Sequence, residues 1–464
     1  MQSTAALLTV ATLGIALLLL LIIKVRLQPF VALLTVSLVV GLASGLSVTE
    51  LLGTVQKSNA VSVVESGMGG TLGHIAIIIG LGTMLGSILE VSGGAEALSS
   101  RLLELFGERR VPLAMGLTGV VFGIPVFFDV GIFVLAPIVY AAAERSGRSI
   151  LLYALPLLAG LSMTHAFLPP HPGPVAAAGL LGVDLGWVIL MGAAAGVPAV
   201  LAAWAYAAWI GGRVFVPVPE DMVEAAREAK SAVVEEGAPA AAPVPPVTLL
   251  AIIGTPLVLI LLATFSSVAF APSTGRSVVE FFGHPFVALT IALFLAYYLL
   301  GIRRGWSRKA LETVSTASLK PVGNILLVVG AGGVFGAVLK ASGVAKALAD
   351  TFDSAGLPVV VLAWLISVVL RVAQGSATVA IVTTAGIVAP MLSDGHFSQP
   401  QLALVIVAIS AGSIFASHVN DGGFWMVSTY FGISERDTLA SWTVLESVLS
   451  VVGFGVACAL SAVV

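Results

Sequence analysis

The sequence predicts an all-α polytopic membrane protein built from two inverted-topology repeats, and three observations carry that prediction. Apolar residues make up 58% of the 464 positions and charged ones 10%, with mean hydropathy +1.08. That leaves too few charges to cover a soluble globule of this length. The chain also matches itself at an offset of 250 residues: Gly73-His74-Ile75 falls over Gly323-Asn324-Ile325, Gly82 to Gly93 over Gly332 to Gly343, and Pro170-His171-Pro172-Gly173 over Asn420-Asp421-Gly422-Gly423. Finally, the stretches 111–143 and 357–392 are apolar but broken near their middles, leaving limbs too short to cross a bilayer at about 20 residues per crossing.

Taken in order, the apolar runs predict about ten transmembrane helices near 5–23, 30–46, 71–90, 150–182, 185–210, 247–270, 286–302, 321–340, 400–432 and 441–463. Lys24 and Arg26 follow the first run, and no small-residue cleavage site follows it, so it reads as a span and not as a signal peptide. The stretches 111–143 and 357–392 read as re-entrant hairpins. Irregular backbone at membrane depth survives only where protein or a wet cavity surrounds it, so their tips become candidate sites. Runs 150–182 and 400–432 read as helices broken at the midplane, the first by Pro169, Pro170, Pro172 and Pro174, the second by Gly422 and Gly423.

Basic residues set the orientation. Arg101, Arg109 and Arg110 before the first hairpin and Arg145 and Arg148 after it fall on the inner face if that segment enters and leaves on one side. Arg303, Arg304, Arg308 and Lys309 follow run 286–302, whereas its counterpart 30–46 precedes a nearly uncharged loop. Equivalent loops of opposite basic content imply inverted halves, with both termini outside. The expected organisation is an N-terminal repeat over 1–212, a charged and Ala/Pro-rich cytoplasmic linker over 213–246, and a C-terminal repeat over 247–464.

Composition excludes several classes. A net charge of −3 implies no polybasic surface for nucleic acid. The lone Cys458 forms no intramolecular disulfide, no Walker A sequence is present, and the histidines lack metal-site spacing. No hydrolase signature occurs, so an enzyme is not expected, and neither a bound cofactor nor a metal is implied.

The chemistry concentrates at four places. Asp129 stands at the first hairpin tip. An intramembrane carboxylate is expensive, by roughly 2.5–3.5 kcal/mol on insertion scales, and marks either a proton acceptor or cation ligand or a helix cap. The second tip carries Arg371, whose planar fork suits a carboxylate, with Gln374, Ser376 and Thr378 beside it. An ion pair of Arg371 with Asp129 or Asp421 is the alternative. The first break carries His165, His171 and Gly173, and the second carries His418, Asn420 and Asp421. His74 answers to Asn324 in the repeat, which points to a structural or substrate-contacting role.

These four segments resemble the gluconate permease family (gluconate:proton symporters, GntP-type) of the ion transporter superfamily. The resemblance rests on Phe127-Phe128-Asp129-Val-Gly131, Leu168-Pro-Pro-His171-Pro-Gly-Pro174, Arg371-Val-Ala-Gln374-Gly-Ser376-Ala-Thr378 and Ser417-His418-Val-Asn420-Asp421-Gly-Gly-Phe424-Trp425, and runs over nearly the whole chain. Where the family reads Asn-Asp-Ser-Gly-Phe, this chain has Asn420-Asp421-Gly422-Gly423-Phe424 and loses a hydroxyl. The resemblance implies inner-membrane uptake of gluconate or a related small hydroxy-acid anion with protons, by a homodimer whose transport domain moves as an elevator. On this reading Arg371, Gln374, Ser376, Thr378, Asn420, His171 and Gly173 bind substrate, and Asp129, Asp421, His171, His165 and His418 carry protons. Sodium coupling, D-serine or glycerate as substrate, and more remotely a channel or a membrane enzyme, are the alternatives.

Overall fold

The computed structural model describes residues 3–53, 62–107, 110–219, 244–320, 322–354, 358–392 and 397–464. Residues 220–243 of the expected linker and the His74 side chain lie outside these. Every regular element among the described residues is helical. The first half contains α1 (Thr4–Ile22), α2 (Pro29–Ala43), α3 (Val48–Leu52), α4 (Val63–Val91), α5 (Gly94–Phe106), α6 (Val111–Gly123), α7 (Phe128–Ser146), α8 (Leu151–Phe167), α9 (Pro172–Leu181) and α10 (Leu185–Gly211). The second contains α11 (Pro246–Ala269), α12 (Thr274–Gly283), α13 (Pro285–Arg304), α14 (Arg308–Ser318), α15 (Val322–Ala341), α16 (Val344–Ser354), α17 (Val359–Gln374), α18 (Ala377–Val388), α19 (Gln399–Ser413), α20 (Gly422–Tyr430) and α21 (Glu435–Ser461).

Eight spans among the described residues are long and apolar enough to cross a membrane. Seven are single helices, α1, α4, α10, α11, α13, α15 and α21, and the eighth is the α8–α9 pair. The remaining two expected spans correspond to α2, 15 residues long, and to the divided α19–α20 segment. Local chemistry sets the ends. Ser62 and Ser398 cap α4 and α19 in reciprocal boxes with Glu65 and Gln401, which satisfy amide groups the helix leaves unpaired. Proline opens α2, α9, α11 and α13, where its missing N–H costs nothing.

The repeat is visible in the backbone. Gly93 and Gly343, 250 residues apart, take φ of 77° and 78°, and Gly182 and Gly432 take 68° and 61°. These left-handed turns end equivalent helices at the same register, a conformation open chiefly to glycine. Helix starts obey the same offset: α10 begins at Leu185 and α21 at Glu435, α9 at Pro172 and α20 at Gly422.

Packing is reciprocal between the halves. Mates pack on each other in the pairs α4 with α15 and α10 with α21. Other elements trade partners, α9 lying on α18 while α20 lies on α7, and α2 on α15 while α13 lies on α4. Small residues permit the tightest crossings. A Cβ built at Gly67 would stand 2.8 Å from the Gly333 carbonyl, and one at Gly160 2.6 Å from the Gly116 carbonyl.

Two elements differ from expectation. The limb after the first tip, expected to be too short to cross, runs for 19 residues because helix continues through Glu144 and Arg145 to the left-handed Gly147. The amphipathic helices α5, α12, α14 and α16 occupy loops that carry too many charges to register as apolar runs.

Candidate functional site

A partly open cavity of about 380 Å³ lies between the two tips and the second break. Asp129, His165, Arg371, Gln374, Ser376, Thr378, Asn420 and Asp421 all line it, together with Phe128, Ser162, Trp442 and Glu446. Five segments spread over more than 300 residues of sequence thus meet at one place. Three helix N-termini converge there: α7 at Phe128 and Asp129, α18 at Ser376 to Thr378, and α20 at Asp421 to Gly423. Each presents unpaired amide hydrogens and the positive end of a helix dipole, an arrangement suited to an anion.

Arg371 is the one cation lining the cavity, and it is 4% exposed. Its Nη2 donates to Asp421 Oδ2 and its Nη1 to the Gly375 carbonyl. The ion-pair alternative is therefore realised with Asp421 and not with Asp129. The pair does not exhaust the guanidinium, since Nε is buried with no partner among the described residues. Asp421 is also the N-cap of α20: Oδ1 accepts from Gly423 N at 3.0 Å, and Oδ2 accepts from Ser417 Oγ at 2.5 Å. Trp442 Nε1 donates to the same Ser417 oxygen at 2.8 Å, and its ring stacks on Phe128 at 5.4 Å. A π-helical segment at Leu439–Thr443 turns the indole toward this contact.

Gly375 ends α17 at φ 86°, and a Cβ there would collide with the Asn420 carbonyl. The second tip and the second break touch backbone to backbone at this point. Asn420 Nδ2 also donates to the Val372 carbonyl at 2.8 Å. Ser376 caps α18, and Gln374 Nε2 approaches the Ser376 carbonyl at 3.4 Å. Asp129 occupies the first turn of α7, whose N-cap is Phe127. It therefore favours the helix through the dipole and not as the cap, and its side chain is exposed to the open cavity.

Three of the expected site residues lie elsewhere. His171 is 3% exposed, caps α9, and sets Nε2 2.5 Å from the Gly123 carbonyl at the end of α6. Its ring lies 4.8 Å from His165 and 5.9 Å from Phe127, so it backs the cavity wall without lining it. Gly173 is buried against Ile381, which a Cβ would meet at 2.6 Å. His418 turns back to the Ala416 carbonyl at 2.8 Å.

Glu446 is the charged lining residue that sequence reading passed over. It sits two residues into the helical run from Val444, only nine residues after Asp437, and so reads as part of a charged approach to the last span. The available signal was its place inside the apolar run that begins near 441, where a carboxylate is as costly as at Asp129.

The match to known proteins runs over nearly the whole chain and so includes these segments. The chain matches the GntP family permeases over residues 6–464. It belongs to the GntP permease family. The inner membrane permease YgbN of Escherichia coli is 43% identical over 463 residues, covering 98% of both chains. A gluconate permease of Bacillus subtilis is 38% identical over 467 residues, covering 98% of this chain and all of the relative. Among solved structures, the YdaH transporter of Alcanivorax borkumensis superposes with a TM-score of 0.62 at 16% identity, over 94% of this chain and 96% of that one. With eight apolar spans, this GntP permease is a multi-pass membrane protein.

Proposed function

We propose that the chain imports gluconate, or a closely related small hydroxy-acid anion, by proton symport across the inner membrane. The observation that carries this reading is the convergence of three helix N-termini and Arg371 on one cavity, in a chain whose full-length relatives include gluconate permeases. The substrate carboxylate lies against the amides of α18 and α20 beside Arg371, and Gln374, Ser376, Thr378 and Asn420 meet its hydroxyls. Asp129, exposed to the cavity, takes up a proton, and Asp421 holds the arginine in place. The finer architecture belongs to the same reading: inverted halves, α6–α7 and α17–α18 as re-entrant hairpins, both termini outside, and a homodimer. The exchange of partners between α9 with α18 and α20 with α7 supports a pseudo-twofold relation.

Protons and substrate are coupled to the extent that both stabilise one conformation, since a ligand shifts a population only by its differential affinity. Uptake of labelled gluconate into proteoliposomes, under a proton gradient or a sodium gradient imposed separately, tests the proposal. Accumulation driven by protons supports it, and accumulation driven by sodium alone overturns the coupling ion. Uptake of D-serine or glycerate in place of gluconate overturns the substrate.

A further inference from the structure

Glu446 is 2% exposed, lies on α21 within the membrane, and has no ion-pair partner among the described residues. Its Oε1 is buried without a hydrogen-bond partner, while the Ser162 hydroxyl of α8 stands against the carboxyl. Yet the residue lines the same cavity as Arg371. The elements packed on α21 are α8, α10, α17, α19 and α20, the last bringing only the Tyr430 phenol within its span. Of these, α19 carries no ionisable side chain and α10 only the Tyr206 phenol within its span; α8 brings His165 and Tyr153, and α17 brings Arg371. Asp421 and Asp129 face the group across the cavity.

Two buried, unsatisfied atoms therefore belong to residues that line one void, Glu446 Oε1 and Arg371 Nε. Burying an ionised carboxylate without a counter-ion is strongly unfavourable, and Arg371 is already committed to Asp421. With Arg371 so held, no counter-ion among the described residues is left for an ionised Glu446. Three carboxyl groups face one guanidinium, so with His165 neutral a fully ionised cavity carries two surplus negative charges. Such a cavity repels an anion, and each proton added reduces the repulsion.

We propose that Glu446 is a second proton-binding group, beside Asp129, that links substrate entry to proton uptake. It gains a proton before the anion binds beside Arg371, and it releases that proton when Arg371 swings from Asp421 to pair with it. This assignment rests on the reading of the cavity as a proton-coupled anion site.

The test uses the full chain in proteoliposomes with labelled gluconate. Glu446→Gln fixes the neutral form: exchange of labelled for unlabelled gluconate persists within about tenfold of wild type, whereas proton-driven accumulation falls by about tenfold to a hundredfold. Glu446→Asp restores part of the accumulation. Wild-type accumulation by Glu446→Gln overturns the proposal. So does loss of exchange together with accumulation in protein that melts as wild type does, because that pattern means a binding or structural role. Failure of wild type to take up gluconate would instead overturn the function proposed above. Infrared difference spectra then decide the Glu446 assignment without any substrate: a protonated-carboxyl band at neutral pH that is absent from Glu446→Gln supports it, and an unchanged band overturns it.

Discussion

The two broken helices occupy equivalent places in the repeat but are finished in opposite ways. Between α8 and α9 the break is closed by proline, and its polar group, His171, is consumed by the Gly123 carbonyl. Between α19 and α20 the break is looser: Ala416 takes φ of 49°, Asn420 is exposed, and Asp421 binds Arg371 beside the cavity. One half uses its break to brace the first tip from behind, and the other uses it to present charge. A shared framework therefore does not imply a shared task, and the difference lies in what fills the gap.

The largest expected effect comes from unpairing the charged break. Asp421→Leu leaves Arg371 buried without its counter-ion and should cost about 3–5 kcal/mol, read as a lowered melting temperature in detergent. The double variant Arg371→Leu/Asp421→Leu should recover much of that stability while transporting nothing. A double variant as unstable as the single would mean the pair is not what holds the second tip to the break. Next, Gly375→Ala forces a side chain into a left-handed position against the Asn420 carbonyl and should cost about 1–3 kcal/mol. An unaffected melting temperature there would break the claim that tip and break touch backbone to backbone.

Smaller effects sharpen the contrast. His171→Gln keeps a donor near the Gly123 carbonyl, and it should lower stability by about 1 kcal/mol while leaving the pH dependence of uptake in place. A flattened pH profile in that variant would return His171 to the proton path and make the two breaks alike. Ser417→Ala removes one hydrogen bond to Asp421 and the acceptor of Trp442, for about 1 kcal/mol, with a shift in Trp442 fluorescence as the second readout. The smallest effect lies outside the comparison. The Ser47 backbone and hydroxyl lower the carboxyl of Glu50 below its usual range. The stabilisation this gives is present above the ordinary carboxylate range and is lost as pH falls through the lowered value. Glu50→Gln should therefore alter only the acid limb of the melting curve.

Much of this was legible in the sequence. Lengths of apolar runs, proline and glycine positions, and the offset of 250 are all local signals, and the helices that start at Pro172 and Gly422 begin within the proline and glycine clusters that mark the breaks. Arg371 and Asp421 stood out because charges are rare in apolar runs, and their pairing was one of two options open to such a charge. What stayed hidden depends on contacts distant in sequence. That His171 faces a carbonyl 48 positions away, or that Glu446 looks into a cavity formed by the other tip, follows from packing and not from any local pattern. The equivalent of Glu446 is Gly196, so the repeat offered no second copy to draw attention to it.

The unequal finish of the two breaks has a stereochemical consequence. A duplicated framework with identical fillings would offer a ligand the same surroundings in either of two directions related by rotation. Here the second tip brings the guanidinium of Arg371 and the first tip the carboxyl of Asp129, so a carbon chain bearing one carboxylate has a head and a tail to be read. Once that direction is set, each hydroxyl along the chain points to a fixed wall, and mirror-image acids become distinguishable.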